Sequence, residues 1–459
     1  MVALTAAGCG PAAPTPPAKA PVGTAPKASQ GEQLPKLTEE QRISLVRVAR
    51  ETLSQPMPRE LKFVRVKLEG WEVLHEVKRL DVRDTKRDYD ASLGAMTEVP
   101  VDGTTNPAKV LQNAEWEKKA EALAQRDAAL AAAIHRRFRE MFAEPLQLPP
   151  MPADLLPFSV EVLWDRQSFD EVLRGSGAPV TASVRATWLP RTSNVLTYTG
   201  DESLQSLDEW ACAGGRVQKA SDQAVGTACA ALLLREYAAV RRGYHGAPGT
   251  APALSRTPPW FRLGLPAVLG GVESGREDPA APTVALVHDR VVLSYVDEAR
   301  RRRDTPEEWT LAQLLHPRSF GMDNDNAIAL VAGEAGPPYP EVPPAFRTRA
   351  WAFCHFLWNY DGGKYRDKVV AFTGRVLDDT GTSDVFAKEI MGRPSAADWG
   401  EIEMEFEWYW SKLLERLPGP NPVTREPRDT MTDAPEGEVD PGFREMWEQN
   451  RAAQKQRPK

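Results

Sequence analysis

The chain has few cysteines for its length, and this scarcity limits what can hold it together. Four cysteines occur among 459 residues, and no two form a Cys-x-x-Cys pair. The sequence therefore carries neither a disulfide framework nor a cysteine-based zinc motif. One bridge, between Cys212 and Cys229, would be permitted in an exported protein.

Long apolar runs and an excess of positive charge are also missing. No apolar stretch of the sequence approaches the ~20 residues that a membrane-spanning helix needs. The formal net charge is −7, from 57 basic and 64 acidic side chains. Because nucleic-acid binding depends on neutralising phosphates, this balance argues against a nucleic-acid partner. The one basic run, at 300–303, is flanked by acidic residues, which is typical of a solvated surface.

Histidine is scarce as well, and its spacing fits no metal-binding helix. No two of the six histidines are separated by one or by three residues, the spacings that place two imidazoles on one metal ion. His355 lies in an apolar helical stretch and is interpreted as structural. No Gly-x-Ser-x-Gly nucleophile elbow and no phosphate-binding glycine loop is present.

What the chain does have begins at its first residues. Residues 1–9 end in Ala-Ala-Gly-Cys, which resembles a bacterial lipobox, and Cys9 would then be the lipidated residue. Residues 10–36 are rich in Pro and Ala and indicate a disordered tether. The basic start and apolar stretch of a signal peptide are incomplete, which we interpret as a start codon placed inside a longer signal. We expect an exported protein, anchored to a bacterial membrane through Cys9; a cytosolic protein with a disordered leader is the alternative.

Periodicity beyond the tether predicts an α+β chain. Its β-rich part covers about 60–200, its helical part about 221–417, and a charged, Pro-rich tail follows at 418–459. Alternating patterns predict strands at 61–68, 71–77, 158–164, 186–189 and 195–198. Helical patterns predict helices at 38–54, 115–142, 168–174, 223–242, 259–270, 308–315, 345–360, 364–377 and 398–416, and a short one near 441–455. Residues 83–112 are polar and turn-rich.

The helix at 398–416 has the clearest stripe of apolar residues. The stripe consists of Trp399, Ile402, Phe406, Tyr409 and Leu413. The pattern places Glu401, Glu405 and Lys412 on the surface, and it predicts that Trp408 or Trp410 is exposed.

The segment at 257–271 carries a family resemblance. It reads Thr-Pro-Pro-Trp-Phe-Arg-Leu-Gly-Leu-Pro-Ala-Val-Leu-Gly-Gly and resembles the Pro-x-Trp-Leu-x-Glu-Gly-Leu-Ala segment of gluzincin (thermolysin-type) zinc peptidases. Similar blocks follow the family's order at 71–75, 115–142, 158–169, 190–198, 309–315 and 350–368. The resemblance implies a gluzincin-like domain over 37–417, in which a mixed N-terminal β-sheet with helices precedes a mostly α-helical half.

The same resemblance implies that the zinc ligands are lost. In active members a helix carries His-Glu-x-x-His, and a later glutamate is the third ligand; Leu263 stands in that glutamate's place. In two registers of this helix, the histidine pair becomes Ala228 and Leu232 or Cys229 and Leu233. The general base becomes Cys229 or Ala230. We therefore expect no bound zinc and no other cofactor.

The expected function is a pseudopeptidase that binds a peptide or protein partner in the vestigial cleft, or scaffolds one, at the cell envelope. Two alternatives remain open. One is a metal-dependent hydrolase with a relocated site, for which Glu236 and His245 are the residual candidates. The other is a purely structural envelope protein.

Overall fold

A computed structural model describes residues 62–78, 80–90, 95–153, 155–175, 186–189, 194–199, 220–243, 254, 256–270, 310–315, 344–394, 396–416 and 438–455. Over these residues the protein is mixed α+β, with its sheets in the N-terminal part and helices through the C-terminal half. Several sequence predictions lie outside the described residues: Cys9, the tether at 10–36, the helix at 38–54, Cys212 and His245.

Within the described ranges, seven strands form two sheets. The strands are β1 (Phe63–Leu68), β2 (Trp71–Glu76), β3 (Thr85–Asp90), β4 (Ala95–Pro100), β5 (Phe158–Leu163), β6 (Ala186–Leu189) and β7 (Asn194–Tyr198). The main sheet has the order β1-β2-β5-β7-β6. Its three middle strands, β2, β5 and β7, are parallel, whereas both edge strands run antiparallel to their neighbours.

The two residues between the predicted strands at 61–68 and 71–77 form the turn of the β1–β2 hairpin. Glu69 and Gly70 both have positive φ angles, 45° and 83°. Two successive residues of this kind form the tight turn whose twist matches that of paired strands. The turn sets the register in which Leu68 pairs with Trp71.

Residues 83–112 are more ordered than their polar composition predicts. β3 and β4 form a separate two-stranded ribbon, from the pair Thr85–Pro100 to the pair Asp90–Ala95. The strand sequence Thr-Lys-Arg-Asp-Tyr-Asp has no apolar face, so the alternation that predicts a half-buried strand is missing. The following helix also begins earlier than the predicted residue 115, since Asn106 caps it by accepting from the amides of Ala108 and Lys109.

Ten α-helices lie in the described ranges. They are α1 (Pro107–Phe138), α2 (Arg166–Gly175), α3 (Ala220–Arg241), α4 (Pro259–Leu269), α5 (Leu311–Leu315), α6 (Pro344–Asn359), α7 (Arg366–Leu377), α8 (Ser383–Val385), α9 (Gly400–Arg416) and α10 (Pro441–Lys455). Apart from the start of α1, the predicted helices in these ranges are confirmed to within a few residues. No helix of the described part is both long and apolar enough to cross a membrane.

The main core joins the sheet to the helices. On one face of the sheet Trp71, Phe158 and Val160 are buried in the same cluster as α1 and α3. Alanines on α1 let it lie close to the sheet, and the Trp71 ring meets the His135 ring edge-on at 6.5 Å. The other face is partly covered by α2, through a smaller cluster around Phe169 and Leu196.

Helix α9 confirms its predicted stripe but contradicts the expected exposure of its neighbours. All five stripe residues are buried. Glu405 is also buried, and its carboxylate accepts hydrogen bonds from the Tyr365 hydroxyl and from Lys364. Trp408 and Trp410 are only 5% and 1% exposed, so the expectation of an exposed tryptophan was wrong. Neighbouring helices cover α9 on more sides than its own pattern reveals.

Candidate functional site: the α3–α4 helix pair

Helices α3 and α4 contain the positions at which the resemblance places the lost zinc ligands, and glycines bring their backbones together. A Cβ atom added to Gly270 would lie 2.3 Å from the backbone nitrogen of Thr227, and one added to Gly226 would lie 2.7 Å from the carbonyl oxygen of Gly270. Any side chain at either position would therefore collide with backbone. The contact fixes the end of α4 against the first half of α3.

A third glycine holds α4 against α6 in the same way. A Cβ atom on Gly264 would lie 2.3 Å from the carbonyl oxygen of Ala350 and 2.6 Å from the Sγ atom of Cys354. Sequence reasoning missed all three of these glycines. The available signal was glycine inside a predicted helix, where it costs stability unless close packing requires it.

Both registers considered for the lost histidine pair point into the core. Cys229, Leu232 and Leu233 are completely buried and Ala228 is nearly so. Cys229 is a free, buried thiol, and its predicted bridging partner Cys212 lies outside the described residues. Burial, and secondarily the nearby carboxylate of Asp127, raises the pKa of this thiol well above its ordinary value. Because the thiolate is the form that binds metals and attacks substrates, Cys229 is chemically inert.

The open side of α3 corresponds to a third register, shifted by one residue from Ala228 and Leu232 toward the start of the helix. Thr227 and Ala231, four residues apart, are half-buried in the middle of α3, as Leu263 and Ala267 are on α4. Residues four apart share one face of a helix. The two half-buried helix faces offer three aliphatic side chains and one hydroxyl group, none of which is an ordinary zinc ligand.

Of the two residual candidates for a relocated metal site, the structure describes Glu236 but not His245. Glu236 is 2% exposed and lies in the buried second half of α3. His245 lies outside the described residues. Within the described part of the chain, no three His, Cys, Asp or Glu side chains lie close enough together to hold a metal ion.

The three histidines that the structure describes, His75, His135 and His355, serve packing. The Nδ1 atom of His75 donates to the carbonyl oxygen of Glu76 at 2.8 Å, and burial lowers the pKa of His75 to about 4. The Nε2 atom of His135 lies 3.2 Å from the Tyr237 hydroxyl, and burial lowers its pKa to about 4 as well. His355 is completely buried with its Nδ1 atom 2.9 Å from the Tyr409 hydroxyl, as the structural interpretation requires.

Comparison with known proteins adds nothing to this geometry: no family model, curated protein or solved structure matches the chain.

Proposed function

We propose that this protein is a catalytically inactive, gluzincin-like protein of the bacterial cell envelope, anchored through a lipid on Cys9. It binds a peptide or protein partner on the exposed side of the α3–α4 pair and performs no hydrolysis there. The thermolysin-like fold, the anchor and the partner are parts of this proposal.

One observation carries the proposal: the α3–α4 pair is closely packed, yet none of the three registers of α3 supplies a pair of zinc ligands. Thr227 with Ala231, Ala228 with Leu232, and Cys229 with Leu233 each lack a pair of zinc-binding side chains. On α4, Leu263 offers only a hydrocarbon side chain at the position that the resemblance gives to the third ligand. A catalytic zinc site needs about three protein ligands and one open position. Glycines at the close contacts maintain the helix packing, so the loss is confined to the chemistry.

The half-buried face of the pair supports a binding role. Thr227, Ala231, Leu263 and Ala267 present small or apolar side chains without charge. Partly open apolar surface with few polar groups is typical of binding sites. A peptide with an apolar side chain is therefore the class of ligand that we expect.

Zinc content and hydrolysis test the inactive part of the proposal. The purified chain, dialysed against zinc and then against buffer, should retain well below one zinc per molecule and cleave no peptide from a fluorogenic library. Stoichiometric zinc with peptide cleavage would overturn it. In that case Glu236→Gln and His245→Ala, compared with the unaltered chain, would show whether a relocated site holds the metal.

Site-specific crosslinking tests the binding part. A photoreactive residue at Leu263 should label bound peptides from an apolar peptide library, whereas one at exposed Met446 should not. Equal labelling at both positions would refute a binding face on α4.

The lipid anchor is tested separately by metabolic labelling. In cells fed an alkyne fatty acid, the chain should become labelled, and Cys9→Ala should abolish the label.

A further inference from the structure

The C-terminal helix α10 is attached to the body by one regularly spaced face. Phe443 and Trp447 stand four residues apart on α10, and this spacing places them on one side of the helix, while Val439 lies just before the helix begins at Pro441. Val439 is 7% exposed and belongs to the main core, and the two aromatic residues pack against that core half-buried. The charged residues of α10 between them, Arg444 and Glu445, are exposed. The segment thus has the pattern of an amphipathic helix lying on an apolar surface.

The body offers α9 and the ring of Tyr360 to this helix. Helix α9 is in contact with α10. Tyr360 is buried and meets the Trp408 ring of α9 edge-on at 6.2 Å. The charges of Glu438 and Arg444 both act on the Tyr360 hydroxyl, which places this group near the start of α10. We call α9 together with Tyr360 the tail-docking surface.

The hydrogen bonds at the start of α10 are made within the segment. The Oδ1 atom of Asp440 accepts from the amide of Phe443 at 3.1 Å, and its carbonyl oxygen accepts from the amide of Arg444 at 3.0 Å. Pro441 occupies the first helical position, which suits a residue that lacks an amide hydrogen. The helix therefore carries its own cap and does not depend on the body to begin.

The chain between α9 and α10 is long enough for exchange between molecules. It comprises residues 417–437, which could span about 70 Å when extended at roughly 3.3–3.6 Å per residue. A segment on such a connection can reach the tail-docking surface of a second molecule. On its own molecule's surface, the resident segment competes with that of a second molecule at an effective concentration on the order of millimolar.

We propose that the tail-docking surface is a helix-recognition site for the Phe443–Trp447 face of α10, with the preceding Val439 as a further apolar contact. Its occupant is residues 438–455 of the same molecule, and in exchange the same segment of a second copy. An apolar face laid on an apolar surface is a common mode of helix recognition, with anchors at these spacings. The inference does not depend on the function proposed for the α3–α4 pair.

Binding of the free segment to the full chain tests the proposal. The probe is a fluorescein-labelled peptide of residues 438–455, and the chains are the wild type and the double variant Phe443→Ser/Trp447→Ser. Loss of its own anchors should free the surface, so the peptide should bind the double variant about tenfold more tightly than the wild type. A control peptide with the same two serines should not bind. Equal affinity for the two chains, or binding of the control peptide, would overturn the proposal.

Hydrogen exchange of the unaltered chain decides the question even if the double variant misfolds. Millimolar 13C,15N-labelled peptide 438–455 should displace the resident segment and speed amide exchange in residues 443–455. The isotope mass distinguishes the chain's own fragments from those of the probe. The control peptide should leave exchange unchanged. If exchange in the resident segment is the same with and without the labelled peptide, the surface does not accept a second copy's tail.

Discussion

At the scale of single residues, three glycines explain more of the candidate site than its polar groups do. Gly226, Gly264 and Gly270 stand where a Cβ atom would fall within 3 Å of a neighbouring backbone. The sequence resemblance draws attention to Leu263, the position of the lost ligand. The packing depends instead on its neighbour Gly264.

We expect Gly264→Ala to destabilise the protein by about 2–3 kcal/mol, because the new methyl group would overlap the backbone of Ala350, which cannot turn aside. Gly374→Ala is the matched control. Gly374 also lies inside a helix, α7, but its Cβ atom would meet the flexible ends of Leu146, at 3.2 Å, and of Arg241, at 3.8 Å. This control should be neutral or slightly stabilising, since alanine favours helix over glycine. Urea unfolding measures both, and equal effects would contradict the close-packing argument.

The buried side chain of His75 makes the stability of the folded state depend on pH. The pKa of His75 is lowered to about 4 by burial, against about 6.5 in the unfolded chain. Between pH 6.5 and 4 the unfolded state therefore binds more protons than the folded state, and the free energy of unfolding falls as the pH falls. His75 alone contributes up to about 3 kcal/mol to this loss.

Unfolding in urea at pH 7 and pH 4.5 measures this loss. His75→Gln should reduce the difference in stability between the two pH values, whatever its effect at pH 7. The pKa of His135 is also lowered to about 4, so part of the pH dependence of stability should remain in His75→Gln. Adding His135→Gln should reduce the difference in stability between the two pH values further. An unchanged difference in His75→Gln would show that His75 does not titrate as described.

At the scale of helices and strands, sequence patterns predict what an element buries on its own regular face. The alternation in β2 and β5 and the apolar run in α3 are enough to locate these elements. The β3–β4 ribbon is missed because neither of its strands has an apolar face. Glu405 and Trp410 are misjudged for a different reason: their burial comes from α6 and from the connection between α6 and α7, which lie far away in the sequence. The order of the main sheet is likewise a property of contacts between distant segments.

The ribbon provides the element-scale prediction. Asn113 on α1 accepts from the amide of Leu80 at 2.8 Å and donates to its carbonyl oxygen at 3.0 Å, and so fixes the chain that leads into β3. Two such bonds contribute roughly 1–3 kcal/mol. We expect Asn113→Ala to speed amide exchange in β3 and β4 by about tenfold or more and to leave β2 unchanged.

Gln112→Ala is the control for this variant, because Gln112 is the exposed neighbour of Asn113 on the same helix. It should alter exchange in neither sheet. If the two variants behave alike, the ribbon is held by its own pairing and not by Asn113.

At the scale of the whole molecule, the main core crosses the boundary between sheet and helices. It runs without a break from Trp71 in β2 to Trp410 in α9, through α1, α3, α4 and α6. A shared core of this kind predicts that the described sheet and helices unfold as one cooperative unit. The alternative is a sheet and a helical half that open independently.

A matched pair of core substitutions distinguishes these cases. Val160 in β5 and Val376 in α7 are both completely buried, one in each half. Either Val→Ala change should cost roughly 2 kcal/mol through lost burial and a residual cavity. In a single cooperative unit, each change should speed exchange of the slowest amides in both β2 and α9 by about 30-fold. If Val160→Ala affects only β2 and Val376→Ala only α9, the halves are separate units, and the α3–α4 pair is then an interface between them.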